Sequence, residues 1–184
     1  MNVICIPAYN EEVKIKDVIK KALPHADEVV VCDDGSSDNT AALAKKAGAT
    51  VVSHKTNQGY GAAISTLFDY CRKNNAEIMV TLDGDGQHNP DQIPDLISVI
   101  IKHNVDVVIG SRSLKDDKNL PSYRKTGIKI ITSTINSATD LKVTDAQSGF
   151  RAYSKTAIDL IHPTESGMSV STEILLKISN NGLS

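Results

Sequence analysis

Two carboxylates one residue apart, Asp83 and Asp85, flank Gly84 directly after an apolar run that ends at Leu82. In an extended segment, residues i and i+2 point to the same side. Both carboxylates would therefore face one place, where their repulsion is relieved by a cation. An all-oxygen pair suits Mg²⁺ or Mn²⁺, held by one or two carboxylates plus the oxygens of a substrate diphosphate. An ordinary Asp-Gly turn accounts for the same residues without a ligand. A calcium-binding EF-hand loop does not, because His88 stands where that loop needs glycine and Pro94 where it needs glutamate.

Three further polar clusters end apolar runs. Pro7-Ala8-Tyr9-Asn10-Glu11-Glu12 offers an aromatic ring for stacking on a base, and carboxylates that would equally complement a helix dipole. Asp33-Asp34-Gly35-Ser36-Ser37-Asp38 carries turn and N-cap chemistry, with one aspartate able to cap while the other faces a ligand. The spacing does not assign the two roles. Gly110-Ser111-Arg112 supplies a cation. Gly59-Tyr60-Gly61 falls short of a dinucleotide fingerprint, since Ile64 occupies the third glycine position. A phosphate-cradling P-loop and a GxSxG serine elbow are both absent. The histidines are scattered without metal spacing and read as mostly surface residues. Cys5, Cys32 and Cys71 lie far apart without a CxxC, which supports neither a disulfide framework nor a zinc site.

These clusters need elements to position them. Short β-rich runs at 3–6, 28–32, 50–53, 77–82 and 106–109 alternate with segments of helical period. The first helix carries Ile15, Val18, Ile19, Ala22 and Leu23 on one face, and a short Ala-rich helix stops at Gly48. Ile64, Leu67, Phe68 and Cys71 mark another. A fourth, capped by Asp91 with Pro94 in its first turn, presents Ile93, Leu96, Ile97, Ile100 and Ile101. Beyond Arg112, residues 115–119 read as a charged loop and 125–136 as a helix on the 128/131/135 spacing. Residues 147–154 read as a strand and 171–180 as a helix. Repeated β-then-α units predict an α/β doubly wound sheet with helices on both faces. Such sheets bind ligands beyond the carboxyl ends of their strands, where the polar clusters fall.

The chain of 184 residues has the length of one domain, and its 40% apolar and 23% charged content is ordinary for a globular fold. A net charge of −2 argues against a nucleic-acid partner. Apolar runs stop well short of the ~18 residues of a membrane-spanning helix, and no signal peptide opens the sequence. The default expectation is a cytoplasmic location.

Four motifs occur in order: Ile6-Pro7-Ala8-Tyr9-Asn10-Glu11-Glu12, Val31-Cys32-Asp33-Asp34-Gly35-Ser36-Ser37-Asp38, Leu82-Asp83-Gly84-Asp85-Gly86-Gln87 and Asp145-Ala146-Gln147-Ser148-Gly149-Phe150-Arg151. With them the chain resembles the inverting family 2 glycosyltransferases of GT-A fold, most closely the dolichyl-phosphate mannosyltransferase and polyprenyl-phosphate glycosyltransferase branch. The resemblance covers nearly the whole chain. It implies one glycosyltransferase domain over 1–184, with a nucleotide-sugar-binding half at 1–112 and an incomplete acceptor-side half at 113–184. The sheet would be mostly parallel. Relatives of this branch continue past the last helix with another strand, a basic loop and lipid-engaging helices, so the resemblance implies either a C-terminally truncated core or a reduced acceptor half.

The resemblance also implies roles. Pro7, Tyr9, Glu11 and Asp34 would contact the nucleotide, and Asp83 and Asp85 would hold Mg²⁺ or Mn²⁺ against the sugar diphosphate, with Gly84 and Gln87 beside them. Arg112 would face a phosphate, Arg124 would help bind the acceptor's phosphate, and Asp145 would be the catalytic base. A loop cap at Asp145 and a strand ion pair at Arg151 stay open as alternatives. The implied reaction is metal-dependent inverting transfer of a sugar from a nucleotide-diphosphate sugar to a polyprenyl or dolichyl phosphate, with peripheral contact at the cytoplasmic face of a membrane through the lipid. A saccharide or glycan acceptor, or a non-catalytic nucleotide-sugar-binding module, are the alternatives.

Overall fold

The computed structural model describes residues 1–111, 122–139 and 141–184, with side chains from Thr126 onward in the helix that opens at Ser122. Alternating aliphatic residues build its centre. In β1 (Asn2–Ala8), Val3 and Cys5 belong to the core on one face and Ile4 and Ile6 to the core on the other. In β2 (Glu28–Asp33), Val30 and Cys32 oppose Val29 and Val31 in the same way. Strands apolar on both faces favour parallel pairing under helices. With β3 (Thr50–Ser53) and β4 (Ile78–Thr81) they form the parallel run β3-β2-β1-β4.

Helices cover both faces. α1 (Ile15–Ala22), α2 (Thr40–Lys46) and α4 (Ile93–His103) bury Ile15, Ile19, Ala44, Ile93 and Leu96 against the Ile4 face. α3 (Tyr60–Lys73), α6 (Lys155–Leu160) and α7 (Val170–Asn180) bury Leu67, Phe68, Ile158, Ile174 and Leu175 against the Val3 face. Among the described residues, no helix is long and apolar enough to cross a membrane.

The structure corrects several expectations. β6 (Arg151–Ser154) inserts between β4 and β5 (Val107–Ile109), antiparallel to both. The strand expected over 147–154 is therefore shorter. Residues 147–149 turn out of the ladder, tied down by hydrogen bonds from Thr81 Oγ1 to the Gly149 carbonyl (2.7 Å) and from Ser148 Oγ to the Gly110 carbonyl (2.7 Å), while the Phe150 carbonyl still accepts the Gly110 N–H (2.8 Å). β1 and β2 run further than expected, so Pro7, Ala8 and Asp33 sit inside the ladder. Entry to α4 is capped by Asn89, whose side chain accepts from the Asp91 N–H across a 3₁₀ turn (Pro90–Gln92), and not by Asp91. Ile101 is 66% exposed, because its position lies off the narrow stripe of α4 that meets the sheet. α5 (Ser122–Ala138) is the helix expected at 125–136, but it buries Thr132 and Ile135 while Ile131 faces outward. Thr132 turns inward because its hydroxyl accepts the Ala146 N–H at 3.2 Å. The charged loop expected at 115–119 lies outside the described residues.

Candidate active site at the carboxyl ends of the strands

A cleft of about 520 Å³ opens beyond the carboxyl ends of β1, β2 and β4, a volume suited to a small-molecule ligand. Seven expected residues line it: Pro7 near the end of β1, Tyr9 and Glu11 after β1, Asp34 after β2, and Asp83, Gly84 and Asp85 after β4. The rest of the lining includes Tyr60 from α3 and Gln147, Gly149, Gly167, Met168 and Ser171 from the second half of the chain. Two expected residues are placed elsewhere. Gln87 donates its backbone N–H to Asp85 Oδ1 (2.9 Å) and is not part of the lining. Asp145 is fully buried beside the cleft, with Oδ1 accepting from the Gln147 N–H at 3.1 Å. Arg112 and the side chain of Arg124 lie outside the described residues.

The β1 and β2 loops are stitched together by short polar side chains. Asn10 donates its N–H to Ser36 Oγ (2.9 Å), and its Oδ1 accepts from the Ser37 N–H (2.9 Å). Asn10 adopts a positive φ of 57°, which asparagine tolerates better than most residues. The Glu11 N–H reaches Thr40 Oγ1 (2.8 Å), and the Asn39 N–H reaches Glu12 Oε2 (3.1 Å). The neighbouring glutamates thus have different work: Glu12 ties down the entry to α2, and Glu11 lines the cleft. Partial burial, followed by the carboxylates of Asp85, Asp38 and Asp83, raises the Glu11 carboxyl above its ordinary value.

The structure also separates Asp33 from Asp34. Asp33 closes β2 and accepts weakly from the Ser36 N–H (3.4 Å). Asp34 lines the cleft and is 2% exposed. Its Oδ1 lies 2.6 Å from His54 Nδ1 and accepts the Gln58 N–H at 2.9 Å, while Oδ2 accepts the Gly59 N–H at 2.8 Å. Gly35 permits this approach: its φ is +71°, and a Cβ there would meet the Thr56 carbonyl carbon at 2.5 Å.

Asp83 is held from two sides. The Tyr60 hydroxyl donates to Oδ1 (3.2 Å), and His88 Nε2 lies 3.2 Å from Oδ2 with its ring stacked on Phe150. Burial, then the Asp83 charge, pushes the Tyr60 phenol well above its ordinary value, which keeps it a proton donor toward this carboxylate. Gly149 presses its backbone against the same group, since a Cβ there would lie 2.5 Å from Asp83 Oδ2. Asp85 makes no ion pair among the described residues. Nor do the described residues contain a cluster of three or more His, Cys, Asp or Glu able to hold a metal by themselves. Two carboxylates lining one cleft fit a hard cation that takes its remaining oxygens from a bound diphosphate and water.

Sequence reasoning missed His54, Tyr60 and His88. The histidines read as mostly surface residues, but two of them are nearly buried at the site, with side chains 10% (His54) and 8% (His88) exposed. Tyr60 was visible only inside an incomplete glycine pattern. Arg151, 2% exposed, donates to the carbonyls of Ser148 (2.8 Å), Ala146 (2.8 Å) and Ser171 (3.2 Å), and so shapes the wall that carries Gln147 and Gly149.

The model of the family described as Glycosyl transferase family 2 matches residues 3–161. A UDP-N-acetylglucosamine–dolichyl-phosphate N-acetylglucosaminyltransferase of Methanococcus voltae is 35% identical, over 86% of this chain and 71% of that protein. An undecaprenyl-phosphate 4-deoxy-4-formamido-L-arabinose transferase of Pseudomonas fluorescens is 32% identical, over 85% of this chain and 47% of that one. Among solved structures, glucosyl-3-phosphoglycerate synthase of Mycobacterium tuberculosis superposes with a TM-score of 0.77 at 22% identity, over 98% of this chain and 66% of that chain. The sheet with its flanking helices is thus GT-A-like. The family match over most of the chain, together with relatives above 30% identity, establishes that this protein belongs to glycosyl transferase family 2 and is a glycosyltransferase.

Proposed function

We propose that this chain transfers a sugar, with inversion, from a nucleotide-diphosphate sugar to a polyprenyl phosphate. The observation that carries the reading is the single cleft lined by Pro7, Tyr9, Glu11, Asp34, Asp83, Gly84 and Asp85, drawn from the ends of three different strands. The nucleotide would lie along Pro7, Tyr9 and Asp34, and the diphosphate beside Asp83 and Asp85. Those two carboxylates would hold Mg²⁺ or Mn²⁺, which as a Lewis acid offsets the negative charge that develops on the departing nucleoside diphosphate. Tyr60 and His88 hold Asp83 in place for this task.

The acceptor assignment draws on the dolichyl- and undecaprenyl-phosphate transferases among the relatives. A phosphate monoester has a second pKa of about 6 and is largely ionised at neutral pH. Little proton transfer is then asked of the protein. Asp145, fully buried and bonded to the Gln147 N–H, would orient the turn that carries Gln147 into the cleft. Arg112 and Arg124 retain their expected roles toward phosphate groups. In this reading residues 1–112 form the donor half and 113–184 the acceptor half, and membrane contact is peripheral, through the lipid.

The test is nucleoside diphosphate release from a panel of UDP- and GDP-sugars, with and without Mn²⁺ and a polyprenyl phosphate. Release that requires both additions supports the reading. Turnover onto saccharides but never onto the lipid phosphate would overturn the acceptor, and metal-independent donor binding would overturn the metal assignment. Metal-dependent donor binding without turnover onto any acceptor would make the chain a nucleotide-sugar-binding module.

A further inference from the structure

Asp34 is the most heavily engaged carboxylate of the cleft, and the proposed function does not account for the group behind it. His54 follows β3, and its backbone N–H donates to the Asp33 carbonyl (2.9 Å), which prolongs the β2–β3 ladder and sets its ring beside Asp34. The ring is gripped at both ends. Nδ1 lies 2.6 Å from Asp34 Oδ1, Nε2 lies 2.9 Å from Thr66 Oγ1 on α3, and Cys32 Sγ approaches Nε2 at 3.7 Å. With a carboxylate at Nδ1, that nitrogen carries the proton and donates it.

Asp34 in turn accepts from the N–H groups of Gln58 and Gly59. Gly59 holds a φ of +101° and opens directly into α3 at Tyr60, the residue whose hydroxyl reaches Asp83. A connected path therefore runs from His54 through Asp34 and the Gly59 backbone to Tyr60 and Asp83. It spans the nucleotide end and the diphosphate end of the cleft. A carboxylate offers about four acceptor positions, and the protein fills two on Oδ1 and one on Oδ2. Acceptor capacity toward a ligand is left on Oδ2.

We infer that His54 is a positioning residue for nucleotide binding: by donating to Asp34 it turns that carboxylate so that Oδ2 faces the nucleotide and the 57–59 turn stays against the cleft. The inference rests on the reading of the cleft as a nucleotide-sugar site. His54 does not line the cleft itself and acts only through Asp34.

The experiment compares wild type with His54→Ala and His54→Asn, titrating UDP and GDP in the presence of Mn²⁺ by calorimetry. Thermal unfolding of each variant is recorded alongside. Loss of a charge-assisted hydrogen bond to a buried carboxylate should weaken nucleoside diphosphate binding about tenfold in His54→Ala. Asparagine places an amide N–H near the position of Nδ1–H, so His54→Asn should recover most of that affinity although it also loses the Thr66 contact. Packing alone would weaken both variants equally. Unchanged affinity in His54→Ala, or equal losses in the two variants, would overturn the inference while leaving the function intact. Failure of the wild type to bind either nucleotide would overturn the donor reading and the inference with it.

Discussion

The Tyr60 hydroxyl donates to Asp83 Oδ1 at 3.2 Å, joining the first residue of α3 to the acidic turn after β4. The two residues are 23 positions apart, and burial followed by the Asp83 charge keeps the phenol protonated. Tyr60→Phe removes the donor and keeps the ring. Partners that orient a metal-binding carboxylate are commonly worth about 10–100-fold in metal affinity. Mn²⁺-dependent binding of nucleoside diphosphate, followed by calorimetry, should weaken by about tenfold with little change in thermal stability.

Asp85 should matter more than the Tyr60 hydroxyl, because it is itself one of the two carboxylates proposed to hold the cation and makes no ion pair among the described residues. A Lewis-acid contribution of several kcal/mol corresponds to at least ~100-fold in rate. Asp85→Ala should reduce sugar transfer by that order, and chelation of divalent cations should do the same to wild type. Activity that survives both treatments would remove the metal from the mechanism.

Gly61 should not tolerate a side chain. A Cβ there would lie 2.1 Å from the Glu165 carbonyl oxygen and 2.8 Å from that of Gly167, while its N–H donates to the Ser166 carbonyl at 2.7 Å. This contact presses the 165–167 segment onto the start of α3, beside the wall residues Gly167 and Met168. Gly61→Ala should destabilise the fold by about 1–3 kcal/mol, the usual cost of overpacking. For a chain of this size that is roughly 2–4 °C in Tm per kcal/mol. A melting curve superimposable on wild type would contradict the tight approach.

Glu173 fastens the same wall from α7. It accepts from the Thr164 N–H (2.9 Å), the Thr164 hydroxyl (2.6 Å) and the Glu165 N–H (2.9 Å), and pairs with Lys177 at 3.1 Å. Burial pushes its carboxyl up, but these hydrogen bonds prevail and hold it at about 2, against an ordinary value of 4.5. The folded value lies below the unfolded one, so the stabilisation is fully present above about pH 4.5 and fades as the pH falls toward about 2. Glu173→Gln should melt below wild type at neutral pH, and the gap should narrow as the pH is lowered through that window. A gap independent of pH would show that the charge at Glu173 contributes nothing.

Much of the fold was legible in local sequence. The aliphatic runs of β1 and β2 and the helical stripes at Ile15, Val18 and Ile19 or at Leu67 and Phe68 follow periodicities that act over a few residues. The acidic clusters fell at strand ends for the same reason, and the structure gathers them around one cleft. Expectations failed where a distant partner decides. Residues 147–149 leave the strand pattern where Thr81 claims the Gly149 carbonyl and the Arg151 guanidinium the Ser148 carbonyl. Ile131 faces outward because the Thr132 hydroxyl has a partner in Ala146.

From the sequence alone came the alternation of strands and helices, the family's four motifs, and the position of Asp83, Gly84 and Asp85 just past a buried strand. The resemblance pointed to Glu11 over Glu12 and Asp34 over Asp33, and tertiary structure supplies the reason: Glu11 and Asp34 line the cleft, while Glu12 binds the entry to α2 and Asp33 closes β2. It also placed β6 antiparallel inside the sheet, set His54 and His88 behind the acidic residues and brought Tyr60 against Asp83 in the cleft lining. The reason is one of range. Periodicity and turn chemistry are set by neighbours along the chain, whereas the partner of a buried carboxylate is set by ladder register and helix packing. Those join positions such as 34 and 54, or 60 and 83, whose spacing carries no signal of its own.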